Sequence, residues 1–392
     1  MFKKAIGLKR ILLSLLAVST MSLALMAGRA SAQTVRSESV RSESGDVWKW
    51  ELTDDVGKKR LEIRGKAEFT DDYTDIKSIS QGGSVEIEQV RDGVSRRLEI
   101  KPDASGQLRR TYYFQGRVRS VDDDASAWVA GIVLEAVRQS ALDADKRVER
   151  IFERRGFSGV LEEISRINSD YAKRIYFEVL LKNRSLDASA LQSALRQAAR
   201  QISSDYDQAQ LLLEASEVLT GRMAALPAFF EAVGTIKSDY DHRRVLSAVL
   251  KKGASSRELL LMAIRAAAGI SSDYDKSLVL KEAAQFKLDD PALAGAFFQT
   301  LKTIGSDYEH RNVLSSLLKG GKPGPEVLSR MLESAALISS DYEKATFLVA
   351  ASAAYAGDAR LRSAFLQTAN TIKSEYERGR VLSTMSGSKR SN

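Results

Sequence analysis

Ile270-Ser271-Ser272-Asp273-Tyr274-Asp275-Lys276 decides the architecture, because the chain carries this stretch seven times in recognisable form. The other copies place their tyrosines at Tyr171, Tyr206, Tyr240, Tyr308, Tyr342 and Tyr376, so that successive tyrosines lie 35, 34, 34, 34, 34 and 34 residues apart. A fixed period of this size marks helical hairpins stacked into a solenoid.

With Tyr as position zero, apolar residues recur at +5 and +6 (Leu211 and Leu212, Val245 and Leu246, Val279 and Leu280, Val313 and Leu314, Phe347 and Leu348, Val381 and Leu382) and again at +9 (Ala215, Val249, Ala283, Leu317, Ala351). That spacing predicts one buried stripe on a first helix. A break follows. Asp187, Ser256, Asp290 and Asp358 stand one residue before a second helix, and Pro291 and Pro325 occupy its first position, where a missing N–H costs nothing. The second helix is expected to bury Phe229, Phe297, Met331 and Phe365 at +23 and to close on Ile236, Ile270, Ile304, Ile338 and Ile372 at +30.

The motif itself reads as a capping box. In Ser238-Asp239-Tyr240-Asp241 the Ser would cap the first helix, the second acid would reach back to its N–H, and Asp239 would favour the positive helix end. Only the first copy departs, with Ala172 in the acid's place. On this reading the Tyr is a wedge between repeats with a hydrogen-bonded hydroxyl, the alternative being an exposed tyrosine ladder that binds a ligand. A longer period is superimposed. The copies at Tyr171, Tyr240, Tyr308 and Tyr376 are followed by cations: Lys173 and Arg174, His242, Arg243 and Arg244, His310 and Arg311, and Arg378. These residues are the candidate partner-binding positions, a ridge of equivalent cations suited to an acidic protein or peptide. The competing reading is a solvated face neutralised by i,i+4 pairs such as Asp170–Arg174, Asp239–Arg243 and Asp307–Arg311.

Upstream the period changes to two. Trp48, Trp50 and Leu52, then Leu61 and Ile63, Val85 and Ile87, and Leu98 and Ile100 alternate with polar residues, between turn signals such as Asp92-Gly93 and Gln115-Gly116. This predicts an antiparallel sheet of five or six strands. The fold expected is therefore α+β: an N-terminal antiparallel β-sheet domain followed by an α-solenoid of 34-residue helical-hairpin repeats. Residues 47–121 form the sheet domain, 122–168 a helical linker and N-terminal cap, 169–386 the solenoid and 387–392 a tail, while 33–46 reads as a disordered leader. Asp71, Asp72 and Asp75, and Asp122, Asp123 and Asp124, gather near loops, but no EF-hand pattern frames them. They read as a solvated turn and a helix N-terminus.

The formal charge of +8 suggests nucleic acid until it is located. Lys3, Lys4, Lys9, Arg10 and Arg29 supply five of the eight within residues 1–32, ahead of and after an apolar run from Ile11 to Met26, and Ala30-Ser31-Ala32 follows the small-x-small pattern of a signal peptidase site. Residues 1–32 are read as a signal peptide, with Gln33 the new N-terminus and a periplasmic or secreted address. Nucleic acid is not expected as a partner; a membrane surface is left open as one but not implied. The absence of Cys excludes disulfides and thiolate chemistry. No H-E-x-x-H, P-loop, G-x-S-x-G or dinucleotide fingerprint occurs, so no enzyme, cofactor or metal is read from the sequence.

The I-x-S-D-Y-[DE]-[KRH] repeat, following Phe69-Thr70-Asp71-Asp72-Tyr73-Thr74-Asp75-Ile76-Lys77-Ser78, resembles the extracytoplasmic C-terminal region of antirepressor-type bacterial membrane zinc metallopeptidases and their stand-alone secreted relatives. The resemblance covers about Leu61 to Tyr376, and the period is also TPR-like without the TPR consensus. It implies an envelope sensing or interaction module. Peptidase activity is not carried over, because the H-E-x-x-H is missing. Two functions follow as expectations: a non-catalytic envelope scaffold binding protein or peptide through the solenoid, or a ligand sensor or hydrolase with a site between the sheet domain and the first repeats.

Overall fold

The computed structural model of the chain describes residues 46–182, 186–219, 222–252, 256–320 and 323–387, together with the backbone of 36–41. The sheet region contains β1 (Arg36–Arg41), β2 (Val47–Asp54), β3 (Gly57–Arg64), β4 (Ala67–Phe69), β5 (Ile76–Ile79), β6 (Ser84–Arg91), β7 (Val94–Pro102), β8 (Leu108–Phe114) and β9 (Arg117–Arg119). Seven of these pair as an antiparallel sheet in the order β1-β2-β3-β6-β7-β8-β9, and β4 with β5 makes a separate hairpin. The expectation of five or six strands is too low, because two-residue turns allow strands to follow one another with almost no loop. Asp92-Gly93 and Gln115-Gly116 both take positive φ (50° and 77°, 52° and 74°), the left-handed pair that matches strand twist in a tight hairpin.

Register places Trp50, Leu61, Ile87, Leu98 and Tyr112 in one row across five strands, all buried. Helix α1 (Asp123–Ser140) covers that row with Val129, Ile132, Val133, Ala136 and Val137, and Asp122 caps it by accepting from the Ala125 N–H at 2.8 Å. The other sheet face is a lattice of charge in which Arg60 meets Glu88 at 3.1 Å and Arg97 lies over the Tyr113 ring at 4.2 Å. The disordered leader assigned to 33–46 is corrected in part: Arg36–Arg41 pairs along β2, from Arg36↔Thr53 to Arg41↔Trp48. Its polar composition is no obstacle, since an edge strand is held by backbone hydrogen bonds and needs no apolar face of its own.

Helix α2 (Ala144–Ile164) breaks at Gly156, where φ is 66°. The expected capping pair is divided between two cores. α1 packs in the sheet core, whereas Val148, Val160 and Ile164 of α2 join the core of the array.

First helices of the repeats are α3 (Asp170–Leu181), α5 (Asp205–Val218), α7 (Asp239–Lys252), α9 (Asp273–Ala283), α11 (Asp307–Lys319), α13 (Asp341–Tyr355) and α15 (Glu375–Gly387). Second helices are α4 (Ala188–Gln201), α6 (Leu226–Val233), α8 (Arg257–Ala267), α10 (Pro291–Leu301), α12 (Pro325–Ala336) and α14 (Ala359–Asn370). Each first helix packs on the next first helix and each second helix on the next second helix, giving two layers. Asp187, Ser256, Asp290 and Asp358 cap second helices with their side chains, and Phe229, Phe297, Met331 and Phe365 are fully buried, as expected.

The capping box is half formed. Each motif Ser accepts from the backbone N–H three residues on, at 3.2–3.3 Å. The acid does not return the bond. Instead the N–H of each cap Ser goes to the motif Asp of the preceding repeat: Ser204 to Asp170 (2.9 Å), Ser238 to Asp205 (2.8 Å), Ser272 to Asp239 (2.8 Å), Ser306 to Asp273 (2.8 Å), Ser340 to Asp307 (2.7 Å) and Ser374 to Asp341 (2.8 Å). The N–H before each Ser bonds to the same carboxylate at 2.8–3.1 Å. One carboxylate thus satisfies two otherwise orphan donors of the next helix start. The first repeat has no preceding motif, and there Gln139 of α1 takes the role, accepting from Asn168 N at 2.9 Å and Ser169 N at 3.1 Å.

Replacing Asp239 by Ala is expected to destabilise the array by about 1–3 kcal/mol, since it strands two N–H groups at an interface. Ser272→Ala should cost about 1 kcal/mol through the lost cap. Urea denaturation checks both. Loss at Asp239 no larger than at an exposed control such as Lys302→Ala would reject the clamp.

Candidate functional site: an exposed tyrosine edge

The motif tyrosines are not wedges. Tyr171 is 49% exposed and the other six are 55–75% exposed, so the rings line the outer edge of the first-helix layer. The reason is angular. At about 100° per residue, the stripe at +5, +6 and +9 centres near 190°, and position zero lies opposite it. The periodicity therefore already contained this answer; the capping motif alone did not.

The same rotation decides the fate of the predicted cations. Position +2 falls near 200°, in the middle of the buried stripe. His242 and His310 are each only 4% exposed, so they do not form a surface ridge. Four +2 side chains turn inward and reach polar groups at the ends of second helices. Lys173 donates to the Gln201 carbonyl at 2.6 Å, Lys276 to the Thr303 carbonyl at 3.2 Å, Lys344 to the Thr371 hydroxyl at 3.1 Å and Arg378 to the Ile372 carbonyl at 2.9 Å. Cations there complement the negative helix end. His310 Nε2 lies 2.8 Å from the Ser334 hydroxyl, and His242 Nε2 is buried with no protein partner.

Position +3 explains the alternation of repeats. Arg174 donates to Asp207 of the next repeat at 2.8 Å, Arg243 to Asp275 at 2.6 Å and Arg311 to Glu343 at 2.7 Å. Among the described residues the expected i,i+4 pairs with Asp170, Asp239 and Asp307 do not form: the arginines go to the next repeat, while those carboxylates accept from backbone N–H groups and Asp170 also from Lys173 at 2.9 Å. In the intervening repeats the position is small (Ala209, Ser277, Ala345), and Ser277 donates to Glu309 at 2.5 Å. Each of the three arginines also covers its own tyrosine, with guanidinium carbons 5.1, 5.0 and 4.9 Å from the Tyr171, Tyr240 and Tyr308 ring centres. Arg244 adds a second cation over Tyr240 at 5.6 Å and pairs with Asp241 at 2.8 Å. Among the described residues the edge is therefore a ladder in which arginine-backed tyrosines at 171, 240 and 308 alternate with unbacked ones at 206, 274 and 342.

Among the described residues no group of His, Asp and Glu is arranged to hold a metal ion. Asp72 accepts hydrogen bonds from the Thr70 and Thr74 hydroxyls at 2.7 Å, which orders its turn. No helix among the described residues is long and apolar enough to cross a membrane. The chain matches no protein-family model and no curated protein.

Tyr274→Ala is expected to change stability by less than about 0.5 kcal/mol, as befits an exposed side chain, whereas Phe297→Ala should cost about 3–5 kcal/mol. Comparable losses for the two in denaturant titrations would restore the wedge. Burial pushes the imidazoles of His242 and His310 below their ordinary value of 6.5, against the opposing carboxylates of Asp239 and Asp307. The unfolded chain therefore takes up protons that the folded rings refuse, so their contribution is complete above pH 6.5 and is lost as pH falls through and below it. The double variant His242→Gln/His310→Gln should flatten the fall in denaturation midpoint between about pH 7 and pH 5.

Proposed function

We propose that the protein is a non-catalytic bacterial envelope scaffold whose tyrosine edge binds an extended polypeptide. The observation that carries this reading is the set of seven equivalent exposed tyrosines, one per repeat. Tyrosine offers a large amphipathic contact with few torsions to immobilise, which is why it is enriched at protein interfaces. Packed helices lie about 8–10 Å apart, and an extended chain advances about 3.3 Å per residue. A strand-like segment running along the edge would therefore meet a new tyrosine about every three residues. Arg174, Arg243 and Arg311, though engaged with acids of the next repeat, hold their rings in fixed poses and so preorganise the ladder. The cationic-ridge version of partner binding is narrowed accordingly, since His242 and His310 are inside the array and Lys173 and Arg378 bond to backbone carbonyls.

The envelope setting rests on the sequence: the basic residues and apolar run ahead of Ala30-Ser31-Ala32, which lie outside the described residues, and the resemblance to the extracytoplasmic region of antirepressor-type metallopeptidases.

The test is a photocrosslinking amino acid placed at Tyr274 in the full chain in living cells, with Arg265 on the second-helix layer as the control position. Adducts are expected at 274 but not at 265. They should disappear when the flanking Tyr240 and Tyr308 are changed to Ser. Adducts at both positions alike, or adducts indifferent to the flanking changes, would reject the edge as the binding surface.

A further inference from the structure

A second site lies where the sheet domain meets the array, and it is built of arginine. The loop between β4 and β5 inserts Tyr73 against α2. The ring is 1% exposed, and its hydroxyl donates to the Asp143 carboxylate at 2.9 Å. Both residues hold left-handed backbone, with φ of 58° and 57°. Asp takes this region readily, but a tyrosine does so rarely and persists there where surrounding contacts impose it. Arg147 and Arg150 stack over the Tyr73 ring, their guanidinium carbons 4.8 and 5.5 Å from its centre.

Beside this contact is a cavity of about 240 Å³ lined by Arg138, Arg147, Arg150, Arg154, Arg155 and Arg166. The carboxylates on its wall are Asp71, Asp72 and Glu163, so six guanidiniums face three acids. Their bonds show which cations are already used. Buried Glu163 takes Arg138 at 2.6 and 3.1 Å and one nitrogen of Arg147 at 2.6 Å. Burial alone would push the Glu163 carboxyl up, but those two arginines outweigh it and hold it below the usual carboxylate range. Arg155 and Arg166 both turn to Glu162.

Three donor sets are left. Arg147 is 6% exposed, and its Nε is buried with no protein acceptor. Among the described residues, the acid that Arg150 and Arg154 reach is Asp71, at 3.5 and 3.9 Å, too long for good hydrogen bonds. A buried guanidinium N–H without an acceptor is costly, and two further cations brought to the same cavity repel it. All three deficits are relieved by one group that is small, multiply anionic and rich in acceptors.

We propose that this cavity binds a phosphoryl group, with the Arg147 Nε at its deep end and Arg150 and Arg154 closing on it from the more exposed side. With Glu162, which takes Arg155 and Arg166, counted among the acids, two positive charges are left over; that surplus suits a phosphate dianion, and planar guanidiniums match its oxygens two at a time. The group could be free phosphate, a soluble phosphomonoester or the headgroup of a phosphomonoester lipid. Because the wall draws on the sheet domain's Asp71–Tyr73 loop and on α2 of the array, occupancy would also clamp the two together. This site is independent of the tyrosine edge, and its failure would leave that reading untouched.

The experiment is calorimetric titration of the full chain with inorganic phosphate, using chloride at matched ionic strength as the blank. One saturable site is expected. Arg150→Gln/Arg154→Gln should weaken it at least about tenfold, since each change removes hydrogen bonds to a charged group. Both side chains are partly exposed, 33% and 61%, so the variant is expected to fold, which an unchanged circular dichroism spectrum would verify. Absence of saturable binding up to tens of millimolar phosphate overturns the proposal, as does equal binding by the folded double variant. Cosedimentation with vesicles containing phosphatidic acid, and with phosphatidylserine vesicles as the control, then distinguishes the sources. Retention on the phosphatidic acid vesicles that phosphate competes away assigns the lipid headgroup. No retention assigns a soluble phosphoryl ligand.

Discussion

A carboxylate that serves two backbone N–H groups of the following repeat is the interaction on which the array depends. The motif Asp stands at the start of one first helix and closes the start of the next, so each first helix after α3 is completed by its neighbour. For Asp341 the consequence is visible in its acidity: N–H donation, from Ser374 foremost and then Lys373, holds that carboxyl below its ordinary value. A hairpin alone would leave those donors to water. Nearest-neighbour coupling of this kind makes a repeat protein a linear chain of interfaces, each adding stability to the next. It also sets register, because a displaced helix start would bring the N–H pair out of reach of a short side chain.

The same logic explains how a sheet domain and a solenoid form one molecule. α1 lies on the sheet and belongs to its core, yet its Gln139 accepts the N–H pair that a motif Asp would take. An amide oxygen can accept as a carboxylate does, though without the charge. The first repeat is therefore closed by an element of the other domain, and no separate capping repeat is needed. The Tyr73 loop reinforces the joint from the sheet side by burying an aromatic ring under two arginines of α2. The junction gathers more cation than its own acids neutralise, which separates it chemically from the charge-paired surface of the array.

Along that array, almost every strong side chain is committed to architecture. Asp at the residue before the tyrosine clamps; the following acid receives arginine or serine from the repeat before at Asp207, Asp275, Glu309 and Glu343; and Lys173, Lys276, Lys344 and Arg378, two residues after their tyrosines, turn inward to second-helix ends. The tyrosines are the exception. They are large, equivalent and exposed, and their solvent-facing positions contribute little burial. A residue type repeated at one surface position without a packing role is the kind of feature that binding explains better than folding does.

The sequence by itself determined the repeat, its helix boundaries and its buried stripe, because a 34-residue period and apolar spacing are local properties that any copy displays. The alternating strands, the tight turns at Asp92-Gly93 and Gln115-Gly116, and the caps at Asp187, Ser256, Asp290 and Asp358 were legible for the same reason. The exposure of Tyr274 and the burial of His242 were also encoded, but only in the angle each makes with the stripe, which a motif read as a linear string conceals. What only the tertiary structure decided are the partnerships between residues 32 to 36 positions apart: Asp239 with Ser272, Arg243 with Asp275, Ser277 with Glu309. Capping rules name the donors left open at a helix start but not which chain segment will fill them. The Arg36–Arg41 edge strand and the arginine cavity beside Tyr73 belong to the same class. Backbone pairing along an edge leaves no side-chain pattern, and a cluster assembled from a loop and two helices has no spacing in the sequence to read.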